Sequence, residues 1–274
     1  MRYGFILPGG DARLVAESAR AAEQAGWDGF FIADAVWGVD PWVALTAAAM
    51  LTERIRLGTM LTPVSRYRPW SLAAQTATLD NLSGGRVILA VGLGAIDTGF
   101  AEFGEETDRK ARAELMDEGL AIIDGLWHGQ PFTFDGKHYH VRESTFFPPA
   151  PPVQKPRIPI WVVGAWPRPK SMDRVAHWDG LLPDKISATG EREDYTPDDL
   201  RAMGAYLAER RPADAAPIEI IVEGETPGDD QAAARAIVQP MRAAGATWWL
   251  ESRWGNARDD EAQHRIRQGP PGDE

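Results

Sequence analysis

Residues 29–61 read GFFIADAVWGVDPWVALTAAAMLTERIRLGTML, and the change of rhythm within this stretch decides the fold. Residues 29–33 are an unbroken apolar run of strand length. Asp40 then stands as an N-cap with Pro41 as first helical residue, which predicts a helix to about residue 52. A second strand-like run follows at 55–61. Strand, helix and strand in that order make one βαβ unit, because two parallel strands need a long crossover between them.

The same alternation recurs on both sides. Upstream, a strand at 3–7 precedes a helix from about residue 11, in which Leu14, Val15, Ala19 and Ala22 keep helical spacing and Gly26 supplies the stop. Downstream come a helix at 69–82, a tight turn at Ser83-Gly84-Gly85, a strand at 86–91 and, after a glycine-rich loop, a long helix at 107–128. The remaining strands are expected at 158–163, 180–183, 218–223 and 247–251, each with its helix, at 168–177, 197–211, 229–244 and 259–268. Eight βα units in 274 residues predict an α/β chain folded as one (β/α)8 TIM barrel, a fold that typically takes roughly 250 residues. A doubly wound open sheet is the alternative, disfavoured because eight strands come without a second domain. One stretch departs from the pattern. FTFDG (132–136) and KHYHV (137–141) flank an Asp135-Gly136 turn and lead into a proline-rich run, so a β-hairpin and proline-rich insertion is expected at about 131–157, before strand five, within a single domain of 1–274.

Composition narrows the chemistry. The absence of cysteine excludes disulfides, zinc thiolates, iron–sulfur clusters and thiol nucleophiles, and suits a reducing cytoplasm. A formal charge of −11 with no run of lysine or arginine argues against nucleic acid and anionic membrane as partners. The opening MRYGFILPGG reads as a strand and not as a secretory leader, and no window approaches the roughly 20 apolar residues that cross a bilayer. There is no HExxH or GxSxG motif and none of the five histidines follows a strand end, so metal is not expected and hydrolase chemistry loses support. Eleven tryptophans, several in loops, suggest an aromatic-lined pocket for a small molecule.

In β/α barrels the chemistry sits on the loops after the strands. Gly92 and Gly94 follow strand four, and two readings are open: a flat ring approaching the strand end, or a simple tight turn. The run 163–168, VGAWPR, is either a phosphate cradle at a helix start or an ordinary βα turn. Asp34 follows strand two and either orients a ring or takes a proton, or caps a nearby turn. Arg66, Arg68, Lys185 and Arg253 are anion binders or surface charges. Trp37, Trp166 and Trp254 lie in strand-end loops, whereas Trp27, Trp127 and Trp178 read as packing.

Several blocks taken in order carry a resemblance: GWDGFFIAD (26–34), VDPWVALTAAAMLTERIRLGTMLTPV (39–64), TLDNLSGGRVILAVGLG (78–94), LWHGQPFTFDGKHYHV (126–141), PPVQKPRIPIWVVG (151–164) and DGLLP (179–183). The chain resembles the luciferase-like monooxygenase family, least so over 184–217. The resemblance implies a (β/α)8 barrel with an insertion before strand five, binding reduced FMN or the deazaflavin coenzyme F420. It places the ring across the ends of strands two to four, over a non-proline cis peptide within Thr59, Met60 and Leu61, and a phosphate on the loop after strand five. The cofactor-binding set is then Asp34, Thr59, Met60, Leu61, Gly92, Gly94, Val163, Gly164, Ala165 and Trp166, with Trp37, Lys185, Arg253 and Trp254 around the substrate. F420-dependent dehydrogenases of the family carry Asp-His at the end of strand two, whereas here Asp34 is followed by Ala35. Asp34 and Asp97 are therefore the candidate catalytic residues. The expected activity is that of a flavin-dependent oxidoreductase or monooxygenase acting on a small organic substrate, with F420-dependent hydride transfer and non-catalytic flavin binding as alternatives. A separate flavin or F420 reductase and a second copy, in a homodimer, are the expected protein partners.

Overall fold

The computed structural model describes residues 1–254 and 259–272. Eight parallel strands, β1 (Arg2–Leu7), β2 (Gly29–Ile32), β3 (Arg56–Thr59), β4 (Val87–Gly92), β5 (Ile160–Trp166), β6 (Gly180–Ile186), β7 (Glu219–Gly224) and β8 (Trp248–Ser252), pair in sequence order. β8 returns to β1, with Trp248 opposite Arg2. The sheet is thus closed into a barrel, and an open doubly wound sheet is excluded. The helices α1 (Ala12–Gln24), α2 (Pro41–Leu51), α3 (Pro69–Ser83), α4 (Arg109–His128), α5 (Pro169–Ala176), α6 (Pro197–Ala208), α7 (Gln231–Ala243) and α8 (Asp259–Gln268) follow the strands in turn.

Local chemistry sets the helix starts. The carboxylates of Asp11, Asp40, Asp108 and Asp230 accept from backbone N–H groups in the first turns of α1, α2, α4 and α7. Thr196 and Asp199 form a reciprocal capping box on α6, satisfying donors that a helix leaves unpaired.

Apolar burial separates into two layers. An outer core between strands and helices gathers residues such as Leu45, Leu72, Leu120 and Val175. The inner core is built from inward-facing strand residues, among them Ile6, Phe31, Ile88, Trp161, Ile221, Trp248 and Leu250. Phe31, Trp161 and Trp248 meet at its centre, with ring centroids 5.5, 6.3 and 5.2 Å apart. Glycines make the room: a Cβ at Gly180 would lie 2.2 Å from the Trp161 ring, and one at Gly29 2.8 Å from Phe31. These three aromatics plug the barrel and leave only its C-terminal mouth to form a site.

Three details differ from the sequence expectation. β5 runs on to Trp166 and β6 to Ile186, three residues further than their apolar runs, because Gly164 in β5 and Pro183, Asp184 and Lys185 in β6 interrupt the hydrophobic pattern before the strands end. A short strand at Arg192–Glu193 adds antiparallel to β6. Within the insertion only the pairs Phe134–Asp135 and His140–Val141 form a hairpin. Carboxylates tie the rest of the insertion down. Asp80 of α3 accepts from the N–H groups of Val153 and Gln154 at 2.8 and 3.1 Å, and Glu118 of α4 accepts from those of Lys137, His138 and Tyr139.

Candidate active site

A cavity of about 880 Å³ opens at the C-terminal ends of β4, β5 and β6, between the first turns of α4 and α5. Its floor is apolar, formed by Leu61, Gly92, Val163, Ala165 and Met116. The peptide bond between Met60 and Leu61 is cis, in the position the resemblance implied. Alternation along the strands explains the lining: Val163 and Ala165 point inward, whereas Gly164 between them faces the helices, where a Cβ would stand 2.4 Å from Leu181 and 2.9 Å from the Met172 sulfur. Gly164 is small to admit α5, and not to admit a ligand.

The rim is cationic. Arg109 and Lys110 come from the first turn of α4, Arg168 and Lys170 from the start of α5, and Arg192 from the strand beside β6. Neither helix has an acidic residue in its first turn, although a helix N-terminus already carries a partial positive charge and favours anions. Among the described residues Arg109, Arg168 and Lys170 have no carboxylate within ion-pair distance. Arg112, buried beneath them, donates from one Nη to the carbonyls of Leu93 and Gly94 at 2.7 and 3.1 Å and so fixes the loop after β4. An apolar shelf bordered by unpaired cations fits a flat ring carrying an anionic tail.

Asp34 lies at the end of β2 in a polar knot beside this shelf. Its side chain is 1% exposed, and Arg66 donates to Oδ1 at 3.1 Å. The Tyr67 hydroxyl donates to Oδ2 at 2.9 Å, and Thr62 adds a further hydrogen bond. Burial outweighs these partners and pushes the carboxyl up to about 6. Burial, together with the neighbouring Asp34 charge, pushes the Tyr67 phenol well above its ordinary value, so that it remains a donor.

The other sequence candidates divide between the cavity and its surroundings. Gly92 and Gly94 line the cavity; a Cβ at Gly92 would meet Leu61 at 2.9 Å, and Gly94 takes a positive φ of 78°. Met60 packs in the inner core, and the buried Thr59 hydroxyl bonds that of Thr62 at 2.8 Å. Trp166 turns outward onto the Tyr206 ring. Asp97 is exposed on a 3-10 turn at Ile96–Thr98, and Trp37 is exposed and stacked on Phe103. Lys185 is ion-paired with Asp199 at 3.0 Å. Arg253, 3.8 Å from Glu251, lines a separate cavity of about 420 Å³ beside α8. Trp254 donates from Nε1 to Glu223 at 2.9 Å.

Sequence reasoning placed Arg168 in the candidate phosphate cradle but missed Glu223, Lys170 and the cations of α4. Glu223 stands inward on β7, level with Leu250 of β8, and burial raises its carboxyl above the usual range, as it does that of Asp184. The signal for the cations was present: basic residues in a helix first turn oppose the helix dipole, a local conflict of the kind that marks functional sites.

Comparison with known proteins places this architecture. Residues 4–271 match the family model described as luciferase-like monooxygenase. The chain is 36% identical over 220 residues to an F420-dependent glucose-6-phosphate dehydrogenase of Beutenbergia cavernae, covering 74% of this chain and 60% of that protein. It spans between 45% and 65% of the length of the curated relatives it matches. Among solved structures, a monooxygenase from Streptomyces bottropensis superposes with a TM-score of 0.72 at 19% identity, covering 98% of this chain and 97% of that one. The coenzyme F420 dependent tetrahydromethanopterin reductase of Methanopyrus kandleri does so with 0.72 at 18% identity, covering 98% of each chain. At that identity they establish the shared barrel. With a matching model over nearly its whole length and a barrel of the same architecture, the chain belongs to the luciferase-like monooxygenase family.

Proposed function

We propose that this barrel is an oxidoreductase that holds coenzyme F420 at its C-terminal mouth and exchanges a hydride between that cofactor and a small organic substrate. The observation that carries this reading is the set of unpaired cations at the starts of α4 and α5 above an apolar floor. F420 bears a phosphodiester and a glutamate tail, and several anionic groups use such a rim more fully than the single phosphate of FMN. The F420-dependent dehydrogenase relative supports the same choice. When bound, the deazaflavin supplies hydride chemistry.

In this reading Leu61, Gly92 and Val163 support the ring and exclude water. Arg109, Arg168 and Lys170 hold the anionic end. Asp34, with Arg66 and Tyr67 donating to its two oxygens, orients the neighbouring strand end and, ionised above about pH 6, accepts a proton. Asp97, exposed on its turn, can act only if the turn closes over the mouth.

One observation favours a second reading. Ala35 stands where F420-dependent dehydrogenases of the family carry histidine, which suits an FMN-dependent monooxygenase with no need of that base; its reduced FMN would come from a separate reductase. Titration of the purified protein with F420 and with FMN, followed by fluorescence, decides between them. F420 binding at least tenfold tighter, weakened tenfold or more by Lys170→Glu, is expected. Tighter FMN binding with oxygen uptake would move the assignment to the monooxygenase, and binding of neither sinks both.

We also infer a homodimer. α2 contains no charged residue, yet exposes Val43, Met50 and Leu51, and the adjacent α3 exposes Trp70 and Leu82 while its one charged residue, Asp80, is buried. On a chain of net charge −11 this is a face where two copies can meet without opposing like charges. Absence of cysteine supports a cytoplasmic location. Among the described residues no helix is long and apolar enough to cross a membrane.

A further inference from the structure

The mouth of the barrel is electrostatically divided. Unpaired cations gather over β4 and β5, at the starts of α4 and α5. Over β6, β7 and β8 every described cation is already matched: Lys185 by Asp199 at 3.0 Å, Arg192 by Asp184 at 3.1 Å, and Arg253 by Glu251 at 3.8 Å. Glu223 is the exception among the groups there, because no cation lies within ion-pair distance of it among the described residues.

Its geometry turns it inward at the mouth of the barrel. On β7 the inner core takes Ile221 and the outer core takes Ile220 and Val222, so Glu223 points inward, one step above Ile221. Glu219 lies opposite Gly180 and Ile220 opposite Leu181; continuing that register up the two strands sets Glu223 opposite Asp184, which itself lines the main cavity. One Glu223 oxygen accepts from Trp254 Nε1 at 2.9 Å, while among the described residues no donor engages the other. The Trp254 ring, 49% exposed, stands beside this carboxylate as an open aromatic surface.

From this arrangement we infer that Glu223, with Asp184 beside it and the Trp254 ring next to it, is the specificity group for a non-anionic substrate whose hydroxyl or amino group donates a hydrogen bond to the free carboxylate oxygen. Among the described residues an anionic substrate such as a phosphate ester finds no unpaired cation on this side and faces the unpaired Glu223 carboxyl instead. The negative end of the cofactor and the polar end of the substrate therefore occupy opposite halves of the mouth. The assignment rests on the F420 reading for the position of the cofactor, but its charge argument concerns only the chain itself.

The test uses three matched probes, glucose, glucosamine and glucose 6-phosphate, titrated calorimetrically into the purified protein both without cofactor and with F420 bound. Glucosamine and glucose are expected to bind at least tenfold more tightly than glucose 6-phosphate. Glu223→Gln is expected to weaken glucosamine at least tenfold while the F420 dissociation constant stays within twofold. Tighter binding of the phosphate ester, equal binding of all three, binding of none, or an unchanged glucosamine affinity in Glu223→Gln overturns the inference. Failure of F420 to bind removes the cofactor reading alone, since the cofactor-free titrations still decide this one.

Discussion

Asp34 shows how a single buried carboxyl carries both a candidate chemical role and a cost. Its pKa is raised to about 6 from 3.8, so folding disfavours the ionised form. The cost is absent below about pH 4, develops as pH climbs through about 6, and is complete above it; about two pKa units correspond to about 3 kcal/mol. Asp34→Asn keeps a hydrogen-bonding oxygen for Arg66 or Tyr67 but cannot ionise. Its stability relative to the parent, from urea melts at pH 4.5 and 7.5, should improve by up to that amount at the higher pH, and a difference flat with pH would show that the carboxyl does not titrate there. In F420-coupled turnover, ionisation of Asp34 should appear as an acidic limb near pH 6 that the variant lacks. Gly58 carries a different constraint: a Cβ would stand 2.5 Å from the Ile88 carbonyl oxygen, a backbone atom with no freedom to retreat. Gly58→Ala is therefore expected to cost about 2–3 kcal/mol, read as a fall in the urea midpoint. The cofactor shelf was legible at this scale only in part. Gly92 and Leu61 could be placed because they end strands, whereas the opposite facing of Gly164 and Ala165 depends on a strand running past its apolar segment.

The elements themselves were readable because caps and turns agree with hydrophobic period at every βα unit. Asp40-Pro41 and the Ser83-Gly84-Gly85 turn lie where local chemistry requires them, and Gly84 caps α3 in the left-handed conformation. What sequence could not give was the anchoring of the insertion, since its tether is tertiary. Asp80, in the last turn of α3, meets Val153, Gln154 and the Gln154 side chain, more than seventy residues away. Asp80→Ala should release this segment: limited proteolysis within residues 142–154 is expected to accelerate at least tenfold with little change in far-ultraviolet dichroism, and an unchanged cleavage rate would assign the anchoring elsewhere. Arg86 joins elements by another route. Its guanidinium donates to the carbonyls of Ala49, Thr52, Ile55 and Ser83 and to the Thr52 hydroxyl, satisfying the end of α2 and the entry to β3. Arg86→Ala leaves those buried carbonyls without donors and is expected to cost about 3–5 kcal/mol in a denaturant melt.

At the scale of the whole molecule, the division of charge and the uncharged face of α2 and α3 organise what surrounds the barrel. Met50→Glu places a charge on that face, and light scattering after size exclusion is expected to find a dimer for the parent and a monomer for the variant; a parent monomer would remove the dimer reading, and a variant dimer would locate the contact on another surface. Closure of the barrel followed from counting units, but this face did not, because an apolar helix reads alike whether its far side is buried in the same chain or in another. The aromatic plug has a consequence of its own. Trp161 and Trp248 are fully buried immediately below the cavity floor, and indole emission overlaps the absorption of flavin-type rings. A ring settling on Leu61 and Val163 would draw excitation energy from this pair, so the barrel contains its own optical gauge of occupancy, one that Trp161→Phe and Trp248→Phe would dim in equal protein folds without altering the seat of the ring.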